Sequence, residues 1–71
     1  MNSIEIEIAV NGETRRVPTG LTVAALLAHL GVAATRVGVE RNKCLVRKAE
    51  HETTPVEAGD RFEIVSFVGG G

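Results

Sequence analysis

The chain has 71 residues, of which 44% are hydrophobic and 24% charged, a size and balance that suit one globular domain. Eight Lys and Arg against nine Asp and Glu give a net charge of −1, and without a basic cluster, Trp or Tyr the sequence argues against nucleic-acid binding. A core this small supplies only ~3–5 kcal/mol of net stability, so catalysis by this chain alone is not expected.

Membrane and metal chemistry are also disfavoured. No apolar run approaches the ~20 residues of a membrane span, and the first residues alternate Ile with Glu where a signal peptide would be continuously apolar. Cys44 is the single cysteine and is expected within a strand, while His29 and His51 lack a second ligand at metal spacing and are expected at the surface or its boundary. We therefore expect a cytoplasmic protein, monomeric when free, with no bound metal or cofactor and no membrane partner.

The first predicted element is a β-hairpin. From Ile4 to Val10, branched apolar residues alternate with polar or small ones, the period of a strand with one buried face. Asn11-Gly12 can adopt the positive φ angles of a type I′ turn, so residues 13–17 should return antiparallel until Pro18, which has no amide hydrogen, ends the ladder. The expected pairs are Val10 with Glu13, Glu7 with Arg16 and Ile6 with Val17, which match opposite charges and apolar side chains.

A short helix is predicted next. Thr22 is a suitable N-cap, and the apolar residues between Val23 and Leu30 recur at helical spacing. Gly31 is a suitable C-cap, and Leu21 is placed to form a hydrophobic staple with the first turns. The spacing therefore predicts a helix of two to three turns.

A second hairpin and a final strand complete the pattern. Val37 and Val39 begin a third strand, which a tight turn at Asn42-Lys43 connects to a short return strand over residues 44–47. Residues 48–58 are polar and without a clear period, so an irregular crossover with one short helical turn is expected. The last strand is predicted over residues 61–68.

This order of elements predicts an α+β fold, a mixed sheet with one main helix packed across it. It is the β-grasp arrangement of ubiquitin, in which the first and last strands lie side by side at the centre of the sheet. We therefore expect a β-grasp domain over residues 1–68, with a flexible tail over residues 69–71 leaving the middle of the sheet.

The predicted tail consists of Gly69, Gly70 and Gly71. Ordering a glycine costs roughly 1 kcal/mol more than ordering an alanine, and a tail without Cβ atoms can thread a narrow channel in a partner. Attack of its ionised terminal carboxylate on the α-phosphorus of ATP would give an acyl-adenylate, which a sulfur or nitrogen nucleophile can displace. Most chain ends merely fray, but Gly-Gly after the last strand of a β-grasp pattern favours a functional tail.

Three stretches carry a family resemblance. Residues 20–23 read GLTV, residues 37–42 read VGVERN, and residues 59–71 read GDRFEIVSFVGGG. Over essentially its whole length the chain resembles the sulfur carriers of thiamin biosynthesis, the ThiS family.

The resemblance implies a reaction sequence. A ThiF-like enzyme would use ATP to adenylate Gly71, with Gly70 and Gly69 threaded into its active site, and a cysteine-derived sulfur donor would convert the adenylate to a thiocarboxylate. A ThiG-like thiazole synthase would then receive the sulfur. The chain would be a protein co-substrate and not an enzyme.

Alternation along the last strand predicts a partner-binding anchor. Phe62 and Ile64 share one face and Val65 and Phe67 share the other. We predict that Phe67, with Val65, is exposed beside the tail and docks in a pocket of the activating enzyme and of thiazole synthase. The alternative is that a bulge turns Phe67 inward.

Three other functions stay open at this point. The chain is also similar to the small subunit of molybdopterin synthase, which shares the fold, the Gly-Gly end and the adenylation step but passes sulfur to a pterin. The tail could also be incidental to a non-covalent ubiquitin-like interaction module, or the activated terminus could be conjugated to lysine. Deletion of Gly70 and Gly71 separates the interaction module, which should tolerate it, from the carrier.

Overall fold

The computed structural model describes residues 4–67, which form a five-stranded mixed sheet with strand order β2-β1-β5-β3-β4. The elements in chain order are β1 (Glu5–Val10), β2 (Glu13–Pro18), α1 (Val23–Leu30), a 3₁₀ turn (Ala34–Arg36), β3 (Val37–Arg41), β4 (Cys44–Val46), a second 3₁₀ turn (Lys48–Glu50) and β5 (Arg61–Ser66). Buried side chains of α1 pack with those of the sheet in one core. This is the predicted β-grasp, ubiquitin-like arrangement.

The first hairpin has the predicted register. Glu13 pairs with Val10, and the other two expected pairs are present as well. Asn11 and Gly12 have φ angles of 51° and 83°, as a type I′ turn requires. β2 ends at Pro18, as expected. Pro18 itself still pairs with Glu5, and the Thr19 amide beyond it donates one further hydrogen bond to the Ile4 carbonyl at 2.9 Å. The edge position of β2 explains this, since a proline nitrogen there need not face a partner strand.

The helix also has its predicted ends. The Thr22 hydroxyl accepts a hydrogen bond from the Ala25 amide at 3.2 Å, and Gly31 adopts the left-handed conformation with φ 75°. In the first turn, the Val23 and Ala24 amides donate to carbonyls of the crossover at 2.9 and 2.7 Å. The irregular crossover therefore satisfies helix amides that would otherwise lack partners.

One histidine differs from expectation. His51 is buried, with 5% of its surface exposed, whereas a surface or boundary position was predicted. Its carbonyl accepts from the Ala24 amide, and its Nε2 lies 3.3 Å from the Val46 carbonyl oxygen. The crossover thus packs back onto the helix start and carries His51 inside, while His29 is exposed on α1.

β1 and β5 run parallel at the centre of the sheet. Phe62 on β5 is 1% exposed and belongs to the core. Ile4, the first residue of the alternating segment that predicted β1, precedes the strand and is 70% exposed. It therefore lies outside the core, although the alternation placed it on the buried face. Within residues 4–67, no helix is long and apolar enough to cross a bilayer.

Candidate functional site

The start of β5 is held by a buried carboxylate. The Asp60 side chain is 8% exposed and accepts hydrogen bonds from Arg41 Nε at 2.7 Å and from the Glu57 amide at 2.8 Å. Asn42 Nδ2 donates to its second oxygen at 3.1 Å, and the Asn42 side-chain oxygen accepts from the Arg61 amide at 2.9 Å. These bonds tie the β3–β4 turn and the crossover to the first residue of β5.

The network also determines the ionisation of its members. Burial opposes the ionisation of Asp60, but the hydrogen bonds from Arg41, the Glu57 amide and Asn42 together outweigh burial and hold its pKa below the ordinary value. The hydrogen bond to Asp60 raises the pKa of Arg41 further, so its guanidinium is charged throughout the physiological range. Asp60 and Arg41 therefore form a charge-assisted pair that anchors the strand.

The end of β5 presents an apolar surface instead. Val65 is 59% and Phe67 61% exposed, and Gly38 on β3 lies directly opposite Val65. We call Gly38, Val65 and Phe67 the exit surface. The exposure of Phe67 rules out the inward bulge, while the predicted docking role of Phe67 and Val65 stays a prediction.

The aromatic ring of Phe67 lies on Gly38. A Cβ atom placed on Gly38 would be 3.2 Å from Phe67 Cζ, closer than most real Cβ contacts. The Phe67 amide also donates to the Arg36 carbonyl at 2.8 Å. The absent side chain of Gly38 therefore leaves room for the ring beside β3.

Charges accompany the exit surface on the same face of the sheet. Glu40 lies opposite both Leu45 on β4 and Glu63 on β5, and residues directly opposite share a face. Leu45 is 66% exposed, and among residues 4–67 neither glutamate forms an ion pair. Like charges directly opposite are unfavourable in the free protein, so this face is suited to a partner with an apolar pocket and a basic rim.

Sequence reasoning did not predict the grouping of Glu40, Leu45 and Glu63, because alternation alone does not tell which strands are neighbours. The predicted glycines, Gly69, Gly70 and Gly71, lie outside the described residues, as does Val68. Cys44 is exposed at the sheet edge. In the part of the chain that is described, no three His, Cys, Asp or Glu side chains are grouped to hold a metal ion.

Comparison with known proteins identifies relatives of the whole domain. Residues 2–71 match the model of the ThiS family. The chain is 44% identical over 66 residues to a thiazole synthase of Paramagnetospirillum magneticum and 38% identical over 66 residues to one of Magnetococcus marinus, in each case over 93% of this chain and 20% of the relative. It thus spans about a fifth of the length of these relatives.

A solved structure has the same architecture. The thiamine biosynthesis protein ThiS of Geobacter metallireducens superposes with a TM-score of 0.81 at 36% sequence identity, over 93% of this chain and all of that protein. At this level of identity, the likeness extends beyond the fold to the sequence.

Proposed function

This chain belongs to the ThiS family, the small sulfur carriers of thiamin biosynthesis, and on that premise we propose that Gly71 carries the sulfur as a thiocarboxylate. The observation that carries the proposal is the family match through residue 71, which includes the glycine sequence at positions 69–71. The recipient that we propose is thiazole synthase, and the activating enzyme is of the ThiF type.

The proposed chemistry proceeds in two steps on the activating enzyme. A Gly71 carboxylate oxygen attacks the α-phosphorus of ATP, and pyrophosphate leaves to give an acyl-adenylate. A sulfide equivalent from a cysteine-derived donor then attacks the acyl carbon, and AMP leaves with the bonding electron pair. The product is a thiocarboxylate whose sulfur is nucleophilic, and ATP is consumed by the partner without being bound by this chain.

Thiazole synthase is supported as the recipient by the lengths of the relatives. Two proteins named thiazole synthase contain a segment like this chain, and that segment is a fifth of each. Joining two modules in one chain raises their effective concentration, on the order of millimolar for a short flexible linker. Such a joint chain is expected where a carrier and its recipient act on the same reaction.

The exit surface supplies a docking site for both partners in this proposal. Phe67 is the central anchor and Val65 lies two residues before it, and the sequence continues from Phe67 to Gly71. Exposed aromatic residues in the middle of an interface contribute most of the binding free energy in many complexes. A shared surface would make the two partners bind in turn, which suits a carrier.

The test is the intact mass of the chain after incubation with ATP, the activating enzyme and a sulfur source. Sodium sulfide serves first because it removes the donor protein as a variable, and the cysteine-derived donor follows. A variant without Gly71 is the matched control. We expect a mass gain equal to the replacement of one oxygen by sulfur, confined to the chain that ends at Gly71.

Transfer is tested by adding thiazole synthase and its small-molecule substrates to the charged carrier. Loss of the added sulfur mass, together with appearance of the thiazole product, is expected. No adenylate and no thiocarboxylate from an enzyme that charges its own carrier would contradict the proposal. A variant lacking Gly70 and Gly71 that keeps full partner activity would favour a non-covalent interaction module, while a mass gain on partner lysines would indicate conjugation.

A further inference from the structure

The second half of β5 pairs with β3 on one side but not with β1 on the other. β1 follows β5 as far as Val10, opposite Phe62, and the chain then turns away at Asn11 into β2. On the other side, β3 follows β5 as far as Ser66. The segment that leads to Phe67 therefore extends past the end of β1.

The side chain of Asn11 fills the place of the missing strand. Its Oδ1 accepts from the Ile64 amide at 2.8 Å, and its Nδ2 donates to the Ile64 carbonyl at 3.1 Å. The Asn11 backbone amide donates to the Phe62 carbonyl at 2.8 Å. A side-chain amide offers one acceptor and a donor, as a peptide group does, so Asn11 continues the ladder by one rung beyond the strand.

Turn geometry does not require this amide. A type I′ turn accepts glycine at the position of Asn11 as well as asparagine. The contacts with Ile64 join residues 53 positions apart in the sequence, so they are tertiary contacts that the hairpin alone would not use.

We infer that Asn11 is a positioning residue for delivery of the tail. By holding both backbone groups of Ile64, it directs the strand end that carries Phe67 and continues to Gly71. This inference rests on the proposed function for its catalytic readout, whereas the contact itself can be tested in the isolated protein. Preorganising a binding segment lowers the entropy lost when a partner binds.

Two substitutions at Asn11 separate the turn from the contact. Asn11→Gly keeps a residue suited to the turn and removes both side-chain hydrogen bonds. Asn11→Asp keeps the acceptor for the Ile64 amide but places a carboxylate oxygen against the Ile64 carbonyl. Asn42→Gly is the matched control, because Asn42 also has a positive φ in a hairpin turn and its side chain also makes two hydrogen bonds, but at the start of β5, to Asp60 and Arg61.

The first readout is amide hydrogen exchange in the isolated chain. In Asn11→Gly we expect exchange of the Ile64 amide to be about tenfold faster, because this amide loses the Asn11 side-chain oxygen that accepts its hydrogen bond. In Asn11→Asp the Ile64 amide should stay protected, since its acceptor remains. In Asn42→Gly the change should fall on Arg61 and its neighbours.

The second readout is the kinetics of adenylation with the carrier as the varied substrate. Asn11→Gly should raise KM for the carrier about fivefold with little change in kcat, since a less ordered segment loses more entropy on docking. Asn42→Gly should leave KM unchanged when only folded carrier is counted. Asn11→Asp should lie between Asn11→Gly and the natural chain.

Distinct results overturn the inference. An unchanged exchange rate of the Ile64 amide in Asn11→Gly would show that the Asn11 side chain does not protect this amide. Faster exchange throughout the sheet would show that Asn11 stabilises the whole domain and does not position the end of β5 in particular. Faster local exchange with an unchanged KM would contradict the positioning role. If the natural chain is never adenylated by an enzyme that charges its own carrier, the proposed function fails and the role of Asn11 in delivery fails with it. Faster local exchange in Asn11→Gly would then support the contact between Asn11 and Ile64 alone.

Discussion

The two halves of β5 are held in different ways. The first half has a strand on each side, a buried carboxylate network before it and Phe62 in the core. The second half has β3 on one side and the side chain of Asn11 on the other, and it exposes Val65, while the exposed Phe67 directly follows the strand. One six-residue strand therefore serves first as an anchor of the domain and then as a surface for partners.

This difference predicts that substitutions in the two halves affect different properties of the protein. Free energy of unfolding should depend on the first half, and partner affinity on the second. A domain of this size has only ~3–5 kcal/mol of net stability from its core, so the two properties must be measured separately.

The largest expected effect is the loss of Phe62. Phe62→Ala removes a side chain that is 1% exposed and should lower the free energy of unfolding by about 3–5 kcal/mol, because a cavity adds to the lost burial. Urea denaturation followed by circular dichroism measures this, and much of the variant should be unfolded without denaturant. An equal loss in Phe67→Ala would contradict the comparison of the two halves.

Next in size is the loss of the Asp60 charge. Asp60→Asn keeps the shape but places an amide against Arg41 and the Glu57 backbone, and should cost about 1.5–3 kcal/mol because bonds to a charged group are lost. The same denaturation measurement applies. Glu57→Gln is the matched control: its carboxylate is 67% exposed and 3.7 Å from Arg41, so a change below ~0.5 kcal/mol is expected. Equal losses of unfolding free energy in the two variants would contradict the assignment of the anchoring charge to Asp60.

Acid should abolish the difference between the natural chain and Asp60→Asn. The pKa of Asp60 is lower in the folded than in the unfolded chain, so its stabilising effect is complete above the unfolded value, about pH 4. It is lost as the pH falls through the folded value. Unfolding free energies of both chains from neutral to acid pH should converge at the acid end, and a constant gap would contradict the lowered pKa.

The exit surface is tested by Phe67→Ala, measured as affinity for the activating enzyme and for thiazole synthase. Affinity should fall about 30-fold, equivalent to about 2 kcal/mol at an interface anchor, while the free energy of unfolding changes by less than ~1 kcal/mol. Ile4→Ala removes another exposed apolar side chain, away from the exit surface, and should leave affinity unchanged. Equal loss of affinity in both variants would make the effect non-specific.

Local patterns predicted much of this fold. The alternation from Ile4 to Val10 with Asn11-Gly12 led to the correct hairpin register, and Thr22 and Gly31 marked the helix ends, because these features depend on neighbours in the sequence. The last strand also followed its alternation, which separated Phe62 from Phe67. The last strand was predicted over residues 61–68, but it stops at Ser66, with residue 67 outside the strand and residue 68 outside the described residues; β4 stops at Val46 instead of residue 47.

Long-range contacts could not be predicted in the same way. Asp60 and Arg41 are 19 residues apart, and their pairing needs the β3–β4 turn to lie beside the start of β5. The burial of His51 depends on the crossover returning to the helix start, and the contacts of Asn11 depend on where β1 ends relative to β5. Each of these features follows from tertiary packing and leaves no local period.

The smallest and most selective prediction concerns Gly38, which belongs to the exit surface and not to the core. Gly38→Ala places a Cβ 3.2 Å from Phe67 Cζ, and the exposed ring can move away. An alanine in a strand stabilises by about 0.5–1 kcal/mol relative to glycine, so the domain should be at least as stable. The displaced ring should weaken partner affinity roughly two- to tenfold. Titration calorimetry with the activating enzyme, beside urea denaturation of the same sample, would measure both. Because stability and affinity are expected to change in opposite directions, a parallel loss of both would show that the position of Phe67 is part of the fold and not a property of the binding surface.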